Sequence, residues 1–359
     1  MNLAPVRIDL GTQSYSVYFD DDWPALLAPY KTLKPVIITD RNVSGFHLAK
    51  WKEIIPQAEV LIIPPGDASK SPDMLDNIYT FLLERNYHRD TLIIALGGGV
   101  VGDLAGYAAA TFMRGVQLLQ IPTSLLAMVD AAIGGKTGIN HRLGKNLIGA
   151  FKQPAAVFID FQHLNTLPQR EWLCGGGEIL KYAFIDDRLQ IASFLPGLIL
   201  GSIEKTAPAV RTCVQIKAEI VSVDEKDNTG QRAVLNFGHT LGHALEAAGE
   251  YELFRHGEAA AAGMAGACFL SHRQGLLNDI SYKEMIGIIR QFPFPELKLN
   301  LPPLRLLELI RRDKKITGGK IKFVLVKDFG KPVIQELEEG VVISAIEFTL
   351  NFLRGKIGD

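Results

Sequence analysis

The stretch Thr91-Leu-Ile-Ile-Ala-Leu-Gly-Gly-Gly-Val-Val-Gly-Asp103 limits what this chain can fold into more than any other. Thr91 to Leu96 is a short, nearly continuous apolar run. A strand with no polar face must be covered on both sides, as in parallel sheets whose crossover helices pack on each face. The run ends in Gly97-Gly98-Gly99, and with Gly102 it matches G-x-G-x-x-G between a strand and a helix. Missing Cβ atoms let the backbone approach a pyrophosphate, and the helix N-terminus favours the anion. The same turn can serve packing alone. It lies well into the alternating region, not on the first strand, and Thr123-Ser124 rather than an acid end the next strand. The acid placed to meet a ribose is then Asp40, at the end of an earlier strand. The pattern predicts a nucleotide-binding sheet, but not in the ordinary dehydrogenase order.

The neighbouring residues repeat this alternation. Val6 to Phe19, Pro35 to Thr39, Ala58 to Ile63, Val116 to Ile121 and Ala155 to Ile159 read as strands, and Ser71 to Arg85 as an amphipathic helix opened by Ser-Pro. After Asp160 the pattern turns helical: Ile191 to Leu200, Ala207 to Glu225, Leu235 to Ala248, Glu258 to Gln274, Tyr282 to Arg290 and Pro303 to Arg312. A small hairpin (Lys320 to Val326, Pro332 to Glu336) and a helix from Ser344 to Arg354 follow. With 359 residues there is chain for about two domains. The expectation is an α/β fold: a mostly parallel-sheet domain over 1–160, then a mainly α-helical domain over 161–359, with the active site in the cleft between them.

A net charge of −1 gives no electrostatic case for nucleic acid or a membrane surface. Cys174, Cys213 and Cys268 share no pair spacing and fit a reducing cytoplasm. The N-terminus has no signal-peptide pattern, and Ala259 to Leu270 is too short to span a bilayer, so it reads as a buried helix.

Asn236 to Glu258, NFGHTLGHALEAAGEYELFRHGE, carries the metal signal. His239 and His243 stand four residues apart, on one helical face, and His256 follows in H-G-E. A catalytic Zn site takes three protein ligands and keeps one position open. Ordinary helix histidines would show the same spacing, and spacing does not say which two of the three bind. Gly175-Gly176-Gly177-Glu178 offers an anionic third ligand, with Lys181 one turn on. Val129 to Gly138 and Gly144-Lys145-Asn146 read as a long glycine-rich loop with Lys136 and Lys145, suited to phosphate. Lys217, Arg232, Asn236 and Lys314 add cations and an amide, which implies a substrate with more than one anionic group.

Taken together, GGGVVGD, VDAAIGGKTGIN, GKNLIGAF, LNFGHTLGHALE and HGEA resemble the 3-dehydroquinate synthase family of sugar phosphate cyclases. The resemblance runs from Asp40 to Lys315. It implies a Rossmann-like N-terminal domain, a helical C-terminal domain, NAD, one divalent metal (Zn or Co) and a cytoplasmic homodimer. Carried over by motif, Glu178, His239 and His256 would bind the metal. Asp40, Asn42, Asp67, Lys70, Gly98, Gly99, Val100, Asp103, Thr123, Ser124, Lys136, Lys145 and Thr166 would meet NAD. Asp130, Lys136, Asn146, Lys181, Lys217, Arg232, Asn236, His243 and Lys314 would meet the substrate, and Arg114 would reach the partner subunit's site. Of these, Asp130, Lys136, Lys181 and His243 would be catalytic. Asp67 stands where the family more often has Glu, Ser124 replaces a usual Thr, and Gly176-Gly177 is unusual before Glu178.

The resemblance implies conversion of 3-deoxy-D-arabino-heptulosonate 7-phosphate to 3-dehydroquinate and phosphate. The steps are transient oxidation by NAD, β-elimination of phosphate, reduction and intramolecular aldol closure. The alternatives are another sugar phosphate cyclase and a metal-dependent NAD polyol dehydrogenase.

Overall fold

The computed structural model describes residues 3–297, 301–313 and 320–356. The chain forms two compact units, residues 1–168 with 214–226 and residues 169–213 with 227–359.

The first unit is built on a seven-stranded sheet. Its elements are β1 (Val6–Ile8), β2 (Tyr15–Phe19), α1 (Trp23–Leu27), β3 (Lys34–Asp40), α2 (Arg41–Ile54), β4 (Glu59–Ile63), α3 (Pro72–Glu84), β5 (Thr91–Gly97), α4 (Gly99–Thr111), β6 (Gln117–Pro122), β7 (Lys136–His141), β8 (Gly144–Phe151) and β9 (Ala156–Ile159). The order across the sheet is β1-β2-β9-β6-β5-β3-β4, and every pair but β1–β2 is parallel. All seven residues of β5 are buried, as its unbroken apolar run requires. Side chains alternate between two cores. Val36, Ile38, Ile93 and Ala95 pack on one face with α3 and α4, and Ile37, Ile94, Leu96 and Trp51 on the other. From β3 the chain moves to the β4 edge, whereas β5 leads to β6 and β9. The strand order therefore reverses between β3 and β5, and the crevice beyond their carboxyl ends is where such sheets take ligands.

The glycine-rich stretch read as a long loop is instead ordered. A short π-helical turn, Ala127–Ala131, precedes β7 and β8, which form an antiparallel hairpin. Alternation is weak here because glycine stands where a side chain would collide. A Cβ on Gly149 would come within 2.1 Å of the Thr137 carbonyl oxygen, and one on Gly138 within 2.5 Å of that of Ile148. The hairpin is held against α4 through Gly106, whose Cβ would lie 2.5 Å from Thr137 Cγ2.

The second unit comprises α5 (Gln169–Ile185), α6 (Ile191–Ile199), the first part of α7 (Ile203–Val223), α8 (His239–Ala248), α9 (His256–Arg273), α10 (Asp279–Arg290), α11 (Pro303–Asp313), the hairpin β10 (Lys320–Val326) and β11 (Pro332–Glu338), and α12 (Glu339–Leu353). Helix α9 is its axis: its small residues are buried nearly throughout, and α5, α8, α10 and α12 pack around it. The helix predicted over Leu235 to Ala248 is broken. Gly238, at φ 79°, separates a 3-10 turn (Gln231–Asn236) from α8. Among the described residues no helix is long and apolar enough to cross a membrane.

His163, 1% exposed, accepts from Trp51 Nε1 at 3.1 Å and donates Nδ1–H to the Pro122 carbonyl at 3.3 Å. Burial pushes its pKa down to about 4 against the opposing pull of Asp160. The unfolded ring, near 6.5, therefore takes up a proton first as pH falls. Stability should drop between pH 6.5 and 4, by on the order of 3 kcal/mol at the low end. His163→Gln keeps a donor and an acceptor but cannot be protonated. Urea unfolding at pH 7 and pH 4.5 should show a smaller acid loss in that variant than in the parent.

Candidate functional site

In the first unit the predicted dinucleotide residues gather where β3, β5 and β6 end. Gly98 is the N-cap of α4, whose first turn carries no acid. A Cβ on Gly98 or Gly99 would meet only Ser124 Oγ at 3.3 Å or the Ala131 Cβ at 3.4 Å, so an anion can approach the bare main chain. Gly102 has a different task. Its Cβ would lie 3.0 Å from Gln120 Oε1, and Gln120 donates to the Gly102 carbonyl, drawing α4 onto β6. Asp40 ends β3 and caps α2 by accepting from the amides of Asn42 and Val43 at 2.8 and 2.9 Å. The Thr123 amide donates to the Gly97 carbonyl at 2.9 Å, and Ser124 Oγ accepts from Ala127 N. Thr166 lies farther along the chain, joined to His47 at 2.8 Å.

Three of the cations here are paired with carboxylates. Lys70 Nζ donates to Asp103 Oδ2 at 2.6 Å and to Asn146 Oδ1. Burial raises the pKa of Asp103, opposed mainly by Lys70. Asp67, the departure from the family's usual Glu, reaches Lys145 and Asn140 at 3.0 Å each. Lys217, expected to meet the substrate, is paired within the protein. Its Nζ is 2.6 Å from the Asp130 carbonyl oxygen and 2.7 Å from Asp130 Oδ1. Lys136 opens β7 and is exposed, as is Arg114, which follows Met113 in a left-handed turn with φ values of 66° and 49°. Asn146 therefore joins the Lys70 group, while Lys314 lies outside the described residues.

In the second unit three helices bring ligand-type side chains together. Glu178 belongs to α5, and His239 and His256 open α8 and α9. Glu178 Oε1 is 3.5 Å from His239 Nε2 and 3.4 Å from His256 Nε2, and one donor atom from each of the three lies within 4.8 Å of the others. Glu178 is fully buried. Its oxygens stand within ion-pair distance of both rings and of Lys181 Nζ, at 2.5 Å, but no contact has hydrogen-bond geometry. Burial would raise the Glu178 pKa, yet Lys181, then His239 and His256, hold it well below the usual range.

Each ring is held through its other nitrogen. His239 Nδ1 is 3.1 Å from the Phe237 carbonyl oxygen, and His256 Nδ1 is 3.3 Å from Glu246 Oε2. Burial pushes His239 down to about 3, so its Nε2 presents a lone pair. Burial would lower His256 too, but Glu178 and Glu246 raise it to about 10. A buried carboxylate with no hydrogen-bonded oxygen and two imidazole nitrogens offers three hard or borderline donors. That set fits Zn or Co with a position left open. His243 lies outside this group, its ring centroid 5.4 Å from His239 and 6.0 Å from His256. Arg232 and Asn236 lie in the 3-10 turn before α8.

Glycines make this convergence possible. A Cβ on Gly257 would sit 1.8 Å from the Cys174 carbonyl oxygen, and one on Gly177 2.1 Å from that of Gly257. On the other side of α9, a Cβ on Gly263 would meet the Gly238 carbonyl oxygen at 2.0 Å. Gly176, unusual by sequence, accommodates Leu198 of α6, 2.4 Å from where its Cβ would be. Sequence reasoning missed Glu246, three residues after His243 on the same face. It also missed Arg170, whose guanidinium clamps Glu258 at 2.9 and 3.0 Å and fixes the start of α9. For Glu246 the signal was the helical spacing; for Arg170, 88 residues from Glu258, there was none.

The model "3-dehydroquinate synthase N-terminal" matches residues 60–174 and "3-dehydroquinate synthase C-terminal" residues 175–316. A 3-dehydroquinate synthase of Coxiella burnetii (strain RSA 331 / Henzerling II) is 38% identical over 346 residues, 94% of this chain and 96% of that protein. Among solved structures, 2-deoxy-scyllo-inosose synthase complexed with carbaglucose-6-phosphate, NAD+ and Co2+ superposes with TM-score 0.87 at 22% identity, covering 96% of this chain and 99% of that one. The 2-epi-5-epi-valiolone synthase of Streptomyces hygroscopicus subsp. jinggangensis 5008, with NAD+ and Zn2+ bound, gives 0.81 at 26% identity, covering 96% and 97%.

Three outcomes follow from this geometry. Gly257→Ala should push α9 off α5, lowering stability by about 1–3 kcal/mol or more and weakening Zn binding in a chelator competition. Gly287→Ala on α10, where a Cβ meets nothing within 4 Å, should be neutral or stabilising by up to about 1 kcal/mol in thermal melts of the two variants side by side. A cation taken up at Nε2 must displace the His256 proton, so apparent affinity should fall as pH drops below about 10. Titration calorimetry near neutral pH, in two buffers of different ionisation enthalpy, should report about one proton released per cation.

Proposed function

This chain belongs to the 3-dehydroquinate synthase family, and from that premise we propose how its residues convert 3-deoxy-D-arabino-heptulosonate 7-phosphate to 3-dehydroquinate and phosphate. The observation that carries the proposal is the buried Glu178 carboxylate, without a hydrogen bond, facing Nε2 of two histidines whose Nδ1 atoms are engaged elsewhere. Glu178, His239 and His256 would hold the divalent cation, Zn or Co. Gly98, Gly99, Val100, Asp40, Asn42, Asp67, Lys70, Asp103, Thr123, Ser124, Lys145 and Thr166 would hold NAD. When bound, NAD supplies a reversible hydride acceptor, and the cation lowers the pKa of a ring hydroxyl.

The chain's own residues do the rest by positioning and by moving protons. Lys181 places a second positive charge beside Glu178, where it stabilises negative charge growing on a substrate oxygen. His243, one turn after His239, takes or returns a proton. Lys136, Asn146, Asn236 and Lys314 hold the phosphate, whose own oxygen serves as base for its elimination. Asp130 grips Lys217 through two acceptors, leaving a fixed ammonium for the substrate carboxylate, with Arg232 as the second cation for that group. The enzyme is then a phosphate-eliminating lyase with a hydride cycle that closes on itself. Three buried cysteines, none in a disulfide, agree with a reducing cytoplasm.

Purified protein loaded with NAD and Zn or Co should release phosphate from the heptulosonate phosphate without a lasting rise in reduced-nicotinamide absorbance. Stoichiometric NADH would mark a dehydrogenase instead, and no phosphate release would end the proposal. His256→Ala should lose the cation, whereas His243→Ala should keep it and lose rate.

The proposed assembly is a homodimer in which exposed Arg114 reaches the partner subunit's site. Mixing inactive Arg114→Ala and Lys136→Ala chains should then restore part of the activity, because one site of each mixed dimer is intact. Proven heterodimers with no recovered activity would refute the sharing.

A further inference from the structure

Helix α8 carries His239, His243 and Glu246 along one face, at successive turns. All three meet His256. The two rings lie 5.1 and 6.0 Å from it between centroids, and Glu246 Oε2 lies 3.3 Å from its Nδ1. Nothing in the proposed reaction uses Glu246. We infer that Glu246 is the positioning residue for His256, fixing its orientation and tautomer so that Nε2 rather than Nδ1 faces the cation held with Glu178 and His239. The inference rests on the metal reading above.

The two histidines need different supports because they sit differently on their helices. The Gly238 kink turns the Phe237 carbonyl onto His239 Nδ1, and a side-chain substitution cannot remove a main-chain acceptor. His256 opens α9, and the first turn of a helix exposes N–H groups rather than carbonyls. A proton on Nδ1 must therefore find its acceptor across the helix pair, and Glu246, whose side chain is 12% exposed, provides one. Outer-sphere carboxylates of this kind orient ligand histidines and raise their basicity.

His243, Glu246 and His256 also have donor atoms within 4.8 Å of one another, a second cluster that shares the His256 ring. A cation there would need the ring nitrogen facing Glu246 to be bare. The positioning role needs that nitrogen protonated. The two uses exclude each other, so the chain should take up one cation, not two.

The test measures Co or Zn affinity of the whole chain by competition with a chelator, for the parent, Glu246→Gln and Glu246→Ala, together with cation stoichiometry. Melting temperatures of the cation-stripped chains and their NAD affinities report on the fold. Glutamine keeps an acceptor oxygen; alanine does not. Glu246→Ala should bind the cation about 10–100-fold more weakly, Glu246→Gln should recover most of that loss, and all three chains should melt alike and saturate at one cation. Parent-like affinity in Glu246→Ala, equal weakening in both variants, a melting loss that accounts for the weakening, or a second cation per chain would each overturn the inference. If the parent takes up no cation, the metal reading falls and the inference with it. If the parent binds one and His256→Ala does not, the metal reading stands whatever the Glu246 variants show.

Discussion

Main chain meeting main chain around α9 is the contact on which the second unit's chemistry depends. Helices packed through ordinary side chains keep their axes about 8–10 Å apart. Here Gly257 and Gly177 bring α9 onto α5, and Gly263 and Gly238 bring it onto α8, with nothing larger than hydrogen between them. Only at that separation can short side chains from three helices put Glu178, His239 and His256 within reach of one ion. The same closeness buries the charges, so each must be answered locally: Glu178 by Lys181, His256 by Glu246, and Glu258 by Arg170. Removing one member of such a pair leaves a charge that burial penalises, which ties the ligand set and the packing into one unit.

The first unit solves a different problem. Its segments beyond the strand ends are rich in glycine, and ion pairs tie their charged side chains together: Lys70 to Asp103, Lys145 to Asp67 and Lys217 to Asp130. Lys70, Lys145 and Lys217, proposed to meet anionic ligands, are thus already held by carboxylates. Pairing fixes an ammonium's place, and with it the direction from which an anion can be met.

Much of this was legible from the residues. A central parallel strand has no polar face, so β5 and β3 announce themselves as unbroken apolar runs. The turn after β5 and the buried α9 were readable for similar reasons. The β7–β8 hairpin was not, because Gly138 and Gly149 face each other where β-formers would normally mark a strand, and its support comes from α4. The break at Gly238 was hidden because apolar periodicity runs straight through it. Histidine spacing left three candidates for two places. In the fold Glu178 comes within 3.5 Å of His239 and His256 from another helix, which no local pattern records. Glu246 was passed over because an acid on a helix face reads as solvated. Lys217 and Asp130, 87 residues apart, look in sequence like two unrelated charges.

The ion pair between Lys181 and Glu178 separates two events in the life of the chain. Small zinc domains fold only when their metal arrives, since without it their ligands have nothing to hold. Here the neighbouring turn of α5 carries its own ammonium on a tether, 2.5 Å from the carboxylate, so the helices can close without trapping a naked charge. Under the metal dependence proposed above, folding need not wait for the supply of a trace element, and scarcity of the ion would leave folded chains that loading, rather than new translation, completes.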